Sequence, residues 1–360
     1  MNLYENKLYM EDVRRTASLP LPFEKLAGKR LLLSGATGLI GSFLTDVLME
    51  RNRTYGLGLT VIGIGRNERR ARERFTAWEG DSRFIFVPWD INEPPEGAVP
   101  GNVDYILHLA SNTHPVQYAT DPIGTITTNL FGLSGLLQFA CERQAERFAF
   151  ASSNEVYGEM KSGGEFFTED SFGYINCNTL RAGYPESKRC GEALCQAYRA
   201  GRGLEVVIPR LTRSYGPTLL PTDTKAISQF IKKGVRGEDI VLKSAGTQYY
   251  SYTYMADAVS GLLTVLLKGA DGEAYNIADE ASDITLRDLA GLIADFSGRK
   301  VVFELPDAVE AAGYSTATKA RLDGSKLKGL GWRPAYDIKT GIERTITILR
   351  ETGAAEDLRA

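Results

Sequence analysis

The sequence predicts an α/β protein built on a doubly wound parallel sheet, with a smaller, mixed α/β domain toward its C-terminal end. Three observations predict it. From residue 29 onward, short apolar runs alternate with longer helical stretches, the pattern of a parallel sheet covered on both faces. A glycine-rich turn, "GATGLIG" (35–41), joins the first apolar run to the first helix. Beyond about residue 212 the alternation gives way to mixed segments.

The elements follow in order. Residues 1–28 read as an appended helix and linker, with no apolar core of the kind a signal peptide needs. "RLLLSG" (30–35) is a strand and "LIGSFLTDVLMERN" (39–52) an amphipathic helix. "LTVIGIG" (59–65) is the second strand and "NERRARERFTAW" (67–78) a charged helix. Strands follow at 84–90, 103–111, 147–153 and 204–211, with helices at 128–144 and 185–201. The expected division is 1–28 as an extension, 29–211 as the sheet domain and 212–360 mainly as the smaller domain. Some late segments are expected to return to the first domain, whose sheet should hold roughly seven strands.

Composition removes several classes of function. A formal net charge of −3 gives no bulk electrostatic case for nucleic acid. The basic run "RNERRARERF" (66–75) reads as a solvated helix face. No apolar run approaches the ~20 residues of a membrane helix, so the expected address is the cytoplasm. Four cysteines form no CxxC pair and read as reduced thiols. The only histidines are His108 and His114. A metal site is therefore not expected, and proton chemistry falls to Tyr, Lys, Glu or Asp.

The glycine turn sets the cofactor. Gly35 permits a tight turn, Gly38 lets backbone approach a pyrophosphate, and Gly41 lets helix pack on strand. The following helix offers free N–H groups and a positive dipole end to the anion. In strand–loop–helix context this is a Rossmann-type dinucleotide site. The second strand ends in Gly65 and Arg66, where an acidic residue normally holds the ribose of NAD. NAD is the expected cofactor, and an Arg at this place makes NADP possible. Asp90, just past the third strand, is placed to reach an adenine amino group or to cap a turn.

Tyr184 and Lys188 in "YPESK" stand four apart on a helix, hence on one face. Such a Lys can lower the phenol pKa so that it serves as a base. With the GxxGxxG spacing, these residues resemble the extended short-chain dehydrogenase/reductase superfamily, specifically the NAD-dependent epimerase/dehydratase family. The resemblance implies that Ser153 of "SSNEVYG" bonds the reacting sugar oxygen, Tyr184 is the base and Lys188 holds the nicotinamide ribose. It implies that Thr37, Leu39 and Ile40 of the loop, and Ile91, Leu109, Ala110 and Ser111, line the dinucleotide. The implied chemistry is hydride removal from C4 of a nucleotide sugar, giving a transient 4-keto sugar.

Finer matches point within the family. "HLASNTHPVQYATDPIGTITTNLFG" (108–132) and "SFGYINCNTLRAGYPESKR" (171–189) resemble segments of UDP-glucuronate decarboxylases, and Arg181 and Tyr184 keep their spacing. The resemblance places Glu155 to move a proton next to the ketone. Two departures weaken specific reactions. Asn154 stands where 4,6-dehydratases carry an acid, and Tyr250 where decarboxylases carry an Arg. Arg213, where relatives carry Asn, can supply some of that lost charge to phosphate. Asn154, Arg181, Arg213 and Tyr250 are thus the expected substrate contacts. The expected function is a nucleotide-sugar decarboxylase, dehydratase or epimerase. The alternatives are an NADP(H)-dependent carbonyl reductase and a non-catalytic nucleotide-binding module. The resemblance also implies a homodimer joined by the helices at 128–144 and 185–201.

Overall fold

A computed structural model describes residues 2–93, 99–113, 115–160, 163–304, 306 and 318–358; His114 lies outside them. The first half of the chain lays down α1 (Lys7–Ala17), β1 (Arg30–Ser34), α2 (Leu39–Tyr55), β2 (Thr60–Gly65), α3 (Glu68–Arg74), β3 (Phe84–Pro88) and β4 (Tyr105–His108). Then come α4 (Pro115–Thr120), α5 (Pro122–Thr127), α6 (Leu133–Glu142), β5 (Arg147–Phe150), β6 (Ser152–Ser153), α7 (Gly183–Arg202) and β7 (Val206–Leu211). The rest comprises β8 (Arg213–Tyr215), α8 (Ala226–Arg236), β9 (Ile240–Leu242), β10 (Tyr249–Tyr254), α9 (Met255–Lys268), β11 (Ala274–Ile277), β12 (Asp283–Thr285), α10 (Leu286–Ser297), β13 (Val301–Phe303), β14 (Lys319–Ala320), α11 (Ser325–Gly329), α12 (Ile338–Glu351) and α13 (Ala354–Asp357).

The large sheet runs β11–β7–β5–β4–β1–β2–β3, with the short β6 also on β7. Every pairing in it is parallel. Side chains of a strand alternate between its two faces, and the core divides accordingly. Leu31 and Leu33 join one buried cluster, with Phe43 and Val47 of α2 and Val259 of α9. Leu32, Ile62 and Ile64 join the other, with Leu133 and Leu137 of α6 and Cys195 of α7. A strand apolar on both faces is what a doubly covered sheet requires.

The expected fourth strand is shorter than its apolar run. Its ladder ends just past His108: the Leu109 N–H is shared between the Ser34 carbonyl (3.3 Å) and the Ser34 side chain (3.0 Å), and the Ala110 N–H donates to that side chain (3.1 Å). The chain thereby turns out of the sheet at the carboxyl edge, where ligands bind in such folds. β11, late in sequence, returns to the large sheet beside β7. The remaining late strands form a separate four-stranded group around β10, with β12 antiparallel and β8 and β14 parallel to it. β9 and β13 pair beside α10.

The opening segment is more than an appended helix and linker. Asn6 caps α1 by accepting from the Tyr9 N–H, and the helix buries Tyr9, Val13 and Ala17 against α2 and α9. Two buried carboxylates fix it. Asp12 accepts from the hydroxyls of Tyr254 (2.6 Å) and Tyr336 (2.5 Å) and pairs with Arg344 (2.8 Å). Asp46 of α2 pairs with Arg74 (2.5 Å) and accepts from Trp78 Nε1 (2.8 Å), Tyr4 (2.9 Å) and Tyr9. Removing one partner of a buried pair strands the other, at about 3–5 kcal/mol. We therefore expect Asp46→Ala to lower the stability measured by urea unfolding by that amount. Glu68→Ala, which breaks the exposed Glu68–Arg72 pair, should cost no more than about 1 kcal/mol. Equal losses in the two variants would contradict the assignment.

Candidate active site

The glycine turn is built from close approaches. Gly35 has φ +71°, and a Cβ there would lie 2.9 Å from the Ala110 nitrogen. A Cβ at Gly41 would lie 2.2 Å from the Gly35 carbonyl oxygen, so α2 can sit on β1 only with glycine in its first turn. Gly38 occupies the N-cap position and supplies no side-chain cap, which leaves the first N–H groups of the 17-residue α2 for an anion.

One cavity of about 790 Å³ opens over this turn along the carboxyl edge of the sheet. The sequence-predicted residues all meet there. Gly35, Thr37, Gly38, Leu39, Ile40 and Gly41 form its floor, and Leu109, Ala110 and Ser111 adjoin them. Arg66, Asp90 and Ile91 line the end nearest β2 and β3. Ser153, Asn154, Glu155, Arg181, Tyr184 and Lys188 line the part beyond β4 and β5. Arg213 and Tyr250 face the same space from the smaller domain.

Tyr184 and Lys188 stand on one face of α7, both buried. A chain of hydrogen bonds fixes the start of that helix. Ser111 Oγ donates to Asn129 Oδ1 (2.7 Å), Asn129 Nδ2 donates to Ser187 Oγ (2.8 Å), and that hydroxyl donates to the Tyr184 carbonyl (2.8 Å). Asn129 lies in the π-helical stretch Thr128–Gly132, a departure often found at functional sites.

The electrostatics differ from the sequence expectation. Burial pushes the Tyr184 phenol up to about 12, although hydrogen bonds to Ser153 and Ser111 work the other way. Lys188, one turn on, lies 5.9 Å from the Tyr184 ring centroid. Its ammonium donates to the Ala151 carbonyl (2.9 Å) and lies over the Phe150 ring. Burial pushes that amine down to about 8. His108 is kept neutral by burial, pushed down to about 3, with the Lys188 charge adding to the effect. Ser34 Oγ already accepts two backbone N–H groups, so its own hydrogen goes to His108 Nδ1 at 2.6 Å.

Glu155 is held by Arg181, whose Nη2 donates to both carboxylate oxygens (2.8 and 2.6 Å). The guanidinium covers the Tyr118 ring at 4.8 Å, and Tyr118 stacks on Tyr184 at 4.9 Å. Tyr118 belongs to the 108–132 stretch, where the sequence alone assigns it no role. Arg213 lies flat on Tyr250, 3.5 Å from its centroid, and its Nη1 is buried without a hydrogen-bond partner among the described residues. Tyr250 of β10 thus braces a guanidinium carried by the adjacent strand β8. Asp90 accepts from the Asn92 backbone (3.0 Å) and side chain (2.9 Å), so it caps a turn while lining the cavity. Among the described residues no cluster of His, Cys, Asp or Glu fits a metal ion.

A doubly wound sheet with an uncapped glycine turn and a Ser–Tyr–Lys set defines a nicotinamide-dinucleotide enzyme. The family model for the NAD-dependent epimerase/dehydratase family matches residues 31–278, and the chain belongs to that family. It is similar to UDP-glucuronic acid decarboxylase 3 of Arabidopsis thaliana, 31% identical over 87% of this chain and 86% of the relative. UDP-glucuronic acid decarboxylase 1 of Danio rerio is 32% identical over 88% and 72%. Among solved structures, the dTDP-glucose 4,6-dehydratase of Streptomyces venezuelae, crystallised with NAD, is 28% identical with a TM-score of 0.77. That match covers 92% of this chain and all of the other. The chain is an NAD-dependent enzyme of the nucleotide-sugar-modifying class, and its glycine turn, free α2 N-terminus and Tyr184–Lys188 face fit that dinucleotide.

Lys188 gives a stability test. The folded chain holds this proton less tightly than the unfolded chain, where lysine titrates near 10.5. Below about pH 8 the buried charge costs stability, and that cost is relieved as pH rises through 8 to 10.5. Lys188→Met should therefore raise the melting temperature of the dinucleotide-free protein at pH 7, with the gain shrinking by pH 10 in calorimetry. A lower melting temperature at pH 7 would contradict a destabilising Lys188.

Proposed function

We propose that the chain oxidises C4 of a nucleotide sugar and then acts at the carbon beside the resulting ketone. The observation that carries this reading is Glu155, set in the cavity wall by Arg181 within the same cluster as Tyr184 and Ser153. The dinucleotide, when bound, takes up and returns hydride. The protein does the rest. Ser153 bonds the sugar hydroxyl and Tyr184 moves its proton. Burial keeps water out, and Lys188 stands beside them to hold the nicotinamide ribose.

A 4-keto group acidifies the neighbouring C–H and activates a carboxylate for loss. Glu155 is the carboxylate placed to move that proton or order a water, and Arg181 keeps it oriented. Arg213 offers a desolvated, unpartnered nitrogen to the diphosphate or to a carboxylate of the sugar. Both curated relatives are named as decarboxylases of a uronic acid nucleotide, which supports a sugar of that kind. One observation favours a second reading, plain C4 epimerisation. Asn154 lacks the acid of a dehydratase and Tyr250 lacks the cation of a decarboxylase, and an epimerase needs neither.

Glu155 separates the two. A panel of UDP-, dTDP-, CDP- and GDP-sugars, read by mass spectrometry, identifies the substrate by loss of carbon dioxide, loss of water or isomerisation. With that substrate, Tyr184→Phe should cut turnover by ~10²–10⁴-fold, the usual contribution of a general base. Glu155→Gln should permit hydride transfer and then stall, with a 4-keto sugar and 340 nm absorbance accumulating. Full turnover in the Gln variant would move epimerisation to first place.

We further propose a homodimer joined by the helices between 122 and 142 and between 180 and 202. Ile123, Phe131 and Leu180 are each at least two-thirds exposed there, an apolar area that a second copy would cover. Light scattering at micromolar concentration should give the mass of two chains; the mass of one would refute this. Among the described residues no helix is long and apolar enough to cross a membrane, which is compatible with a cytoplasmic enzyme.

A further inference from the structure

The basic run after β2 is not a uniform solvated face. Its acids are already engaged. Glu68 pairs with Arg72 (2.6 Å), Glu73 with Arg69 (3.8 Å), and Arg74 reaches the buried Asp46. Arg66 and Arg70 are left with no carboxylate partner among the described residues. Both line the cavity at the end that also holds Gly35, Thr37 and Gly65. Arg70 is half-buried, and its pKa is lowered by burial alone. The nearest carboxylate of the cavity wall, Asp90, is turned onto the Asn92 amides.

Gly65 adds an independent observation. A Cβ at this position would meet Phe86 at 3.5 Å and Thr37 Oγ1 at 3.7 Å, ordinary contacts. Packing therefore does not demand glycine. Its effect is to leave open the place from which an acidic side chain would reach the ribose hydroxyls of NAD and would repel a phosphate there. Two unpaired guanidiniums beside that space suit a phosphate monoester, which arginine binds through charge-assisted, fork-like hydrogen bonds.

Building on the dinucleotide reading of the cavity, we propose that Arg66 and Arg70 form a site for the 2′-phosphate of NADP(H). The enzyme then accepts the phosphorylated dinucleotide as well as the NAD(H) of its family, and holds it more tightly. The hydride chemistry is the same in both forms, since the 2′-phosphate lies at the far end of the cofactor from the nicotinamide.

Calorimetric titration of the dinucleotide-free protein with NADPH, NADH and 2′,5′-ADP tests this. NADPH should bind about tenfold or more tightly than NADH, from one or two added charged hydrogen bonds. The small probe 2′,5′-ADP should bind where 5′-AMP binds more weakly. Arg66→Ala with Arg70→Ala should bring the ratio of NADH to NADPH dissociation constants toward one. Gly65→Asp, which keeps both arginines, should bring it below one. If wild-type protein binds NADH as tightly as NADPH, or if the arginine variant keeps the ratio, the proposal fails while the dinucleotide site stands. If neither dinucleotide binds, the dinucleotide reading fails with it.

Discussion

The close approach of α2 to β1 is the constraint on which the rest of the structure depends. At Gly41 there is no room for even a methyl group, because the Gly35 carbonyl oxygen occupies its place. Only with that contact closed does the axis of α2 aim its free N–H groups at the carboxyl edge of the sheet. The same turn, through the Gly35 approach to Ala110, sets where the chain leaves β4. From there the segment carrying Ser111 is led to Asn129 and so to the first turn of α7. A methyl group at one glycine would thus disturb the anion site, the fourth strand's exit and the seat of Tyr184 together.

Around that frame the site is organised by desolvation more than by attraction. Burial moves Tyr184 upward, and Lys188 and His108 downward. In each case burial favours the neutral form, fully for Tyr184 and His108 at neutral pH, while Lys188 keeps its charge until the pH passes about 8. Opposite them, Arg181 meets Glu155 through one nitrogen that donates to both carboxylate oxygens, so that each partly buried charge has its partner. The cavity wall therefore sets the buried Tyr184 and Lys188 beside the Glu155–Arg181 ion pair. A division of labour between adjacent carboxyl and phenol groups is a common way of setting acid–base roles by environment.

What was legible in the sequence was local. The glycine spacing, the Tyr184–Lys188 interval and the alternation of strands and helices all express contacts within a few residues, where backbone geometry fixes neighbours. The Glu155–Arg181 pair spans 26 residues and crosses from a strand end to a helix start, so no spacing rule foretells it. Tyr118 reached the active site by stacking, which leaves no periodic trace. Arg70 was hidden in a charge run because counting charges does not reveal which are already paired. Helical spacing placed Lys188 beside Tyr184, where its ammonium lies 5.9 Å from the ring centroid, but did not foretell its hydrogen bond to the Ala151 carbonyl, 37 residues away. The opening helix was legible as a helix, but its role was not, because its partners Tyr254 and Tyr336 lie 242 and 324 residues away.

That last distance bears on how the chain is made. Asp12 is completed by Tyr336 and Arg344, and Asn6 donates to Glu351 (2.8 Å). The segment around Asp12 thus waits for residues 324 and 332 positions later before its buried carboxylate is satisfied. Domains tend to fold as they emerge, N-terminal parts first. Here the sheet can form while the opening helix has only Asp46 and the α2 surface to hold it. A chain ending before residue 336 would carry Asp12 buried without its tyrosine and arginine partners. The segment at 336–351 thus guards the opening helix: where that segment is unpacked, α1 loses its buried partners and its end is opened to proteolysis.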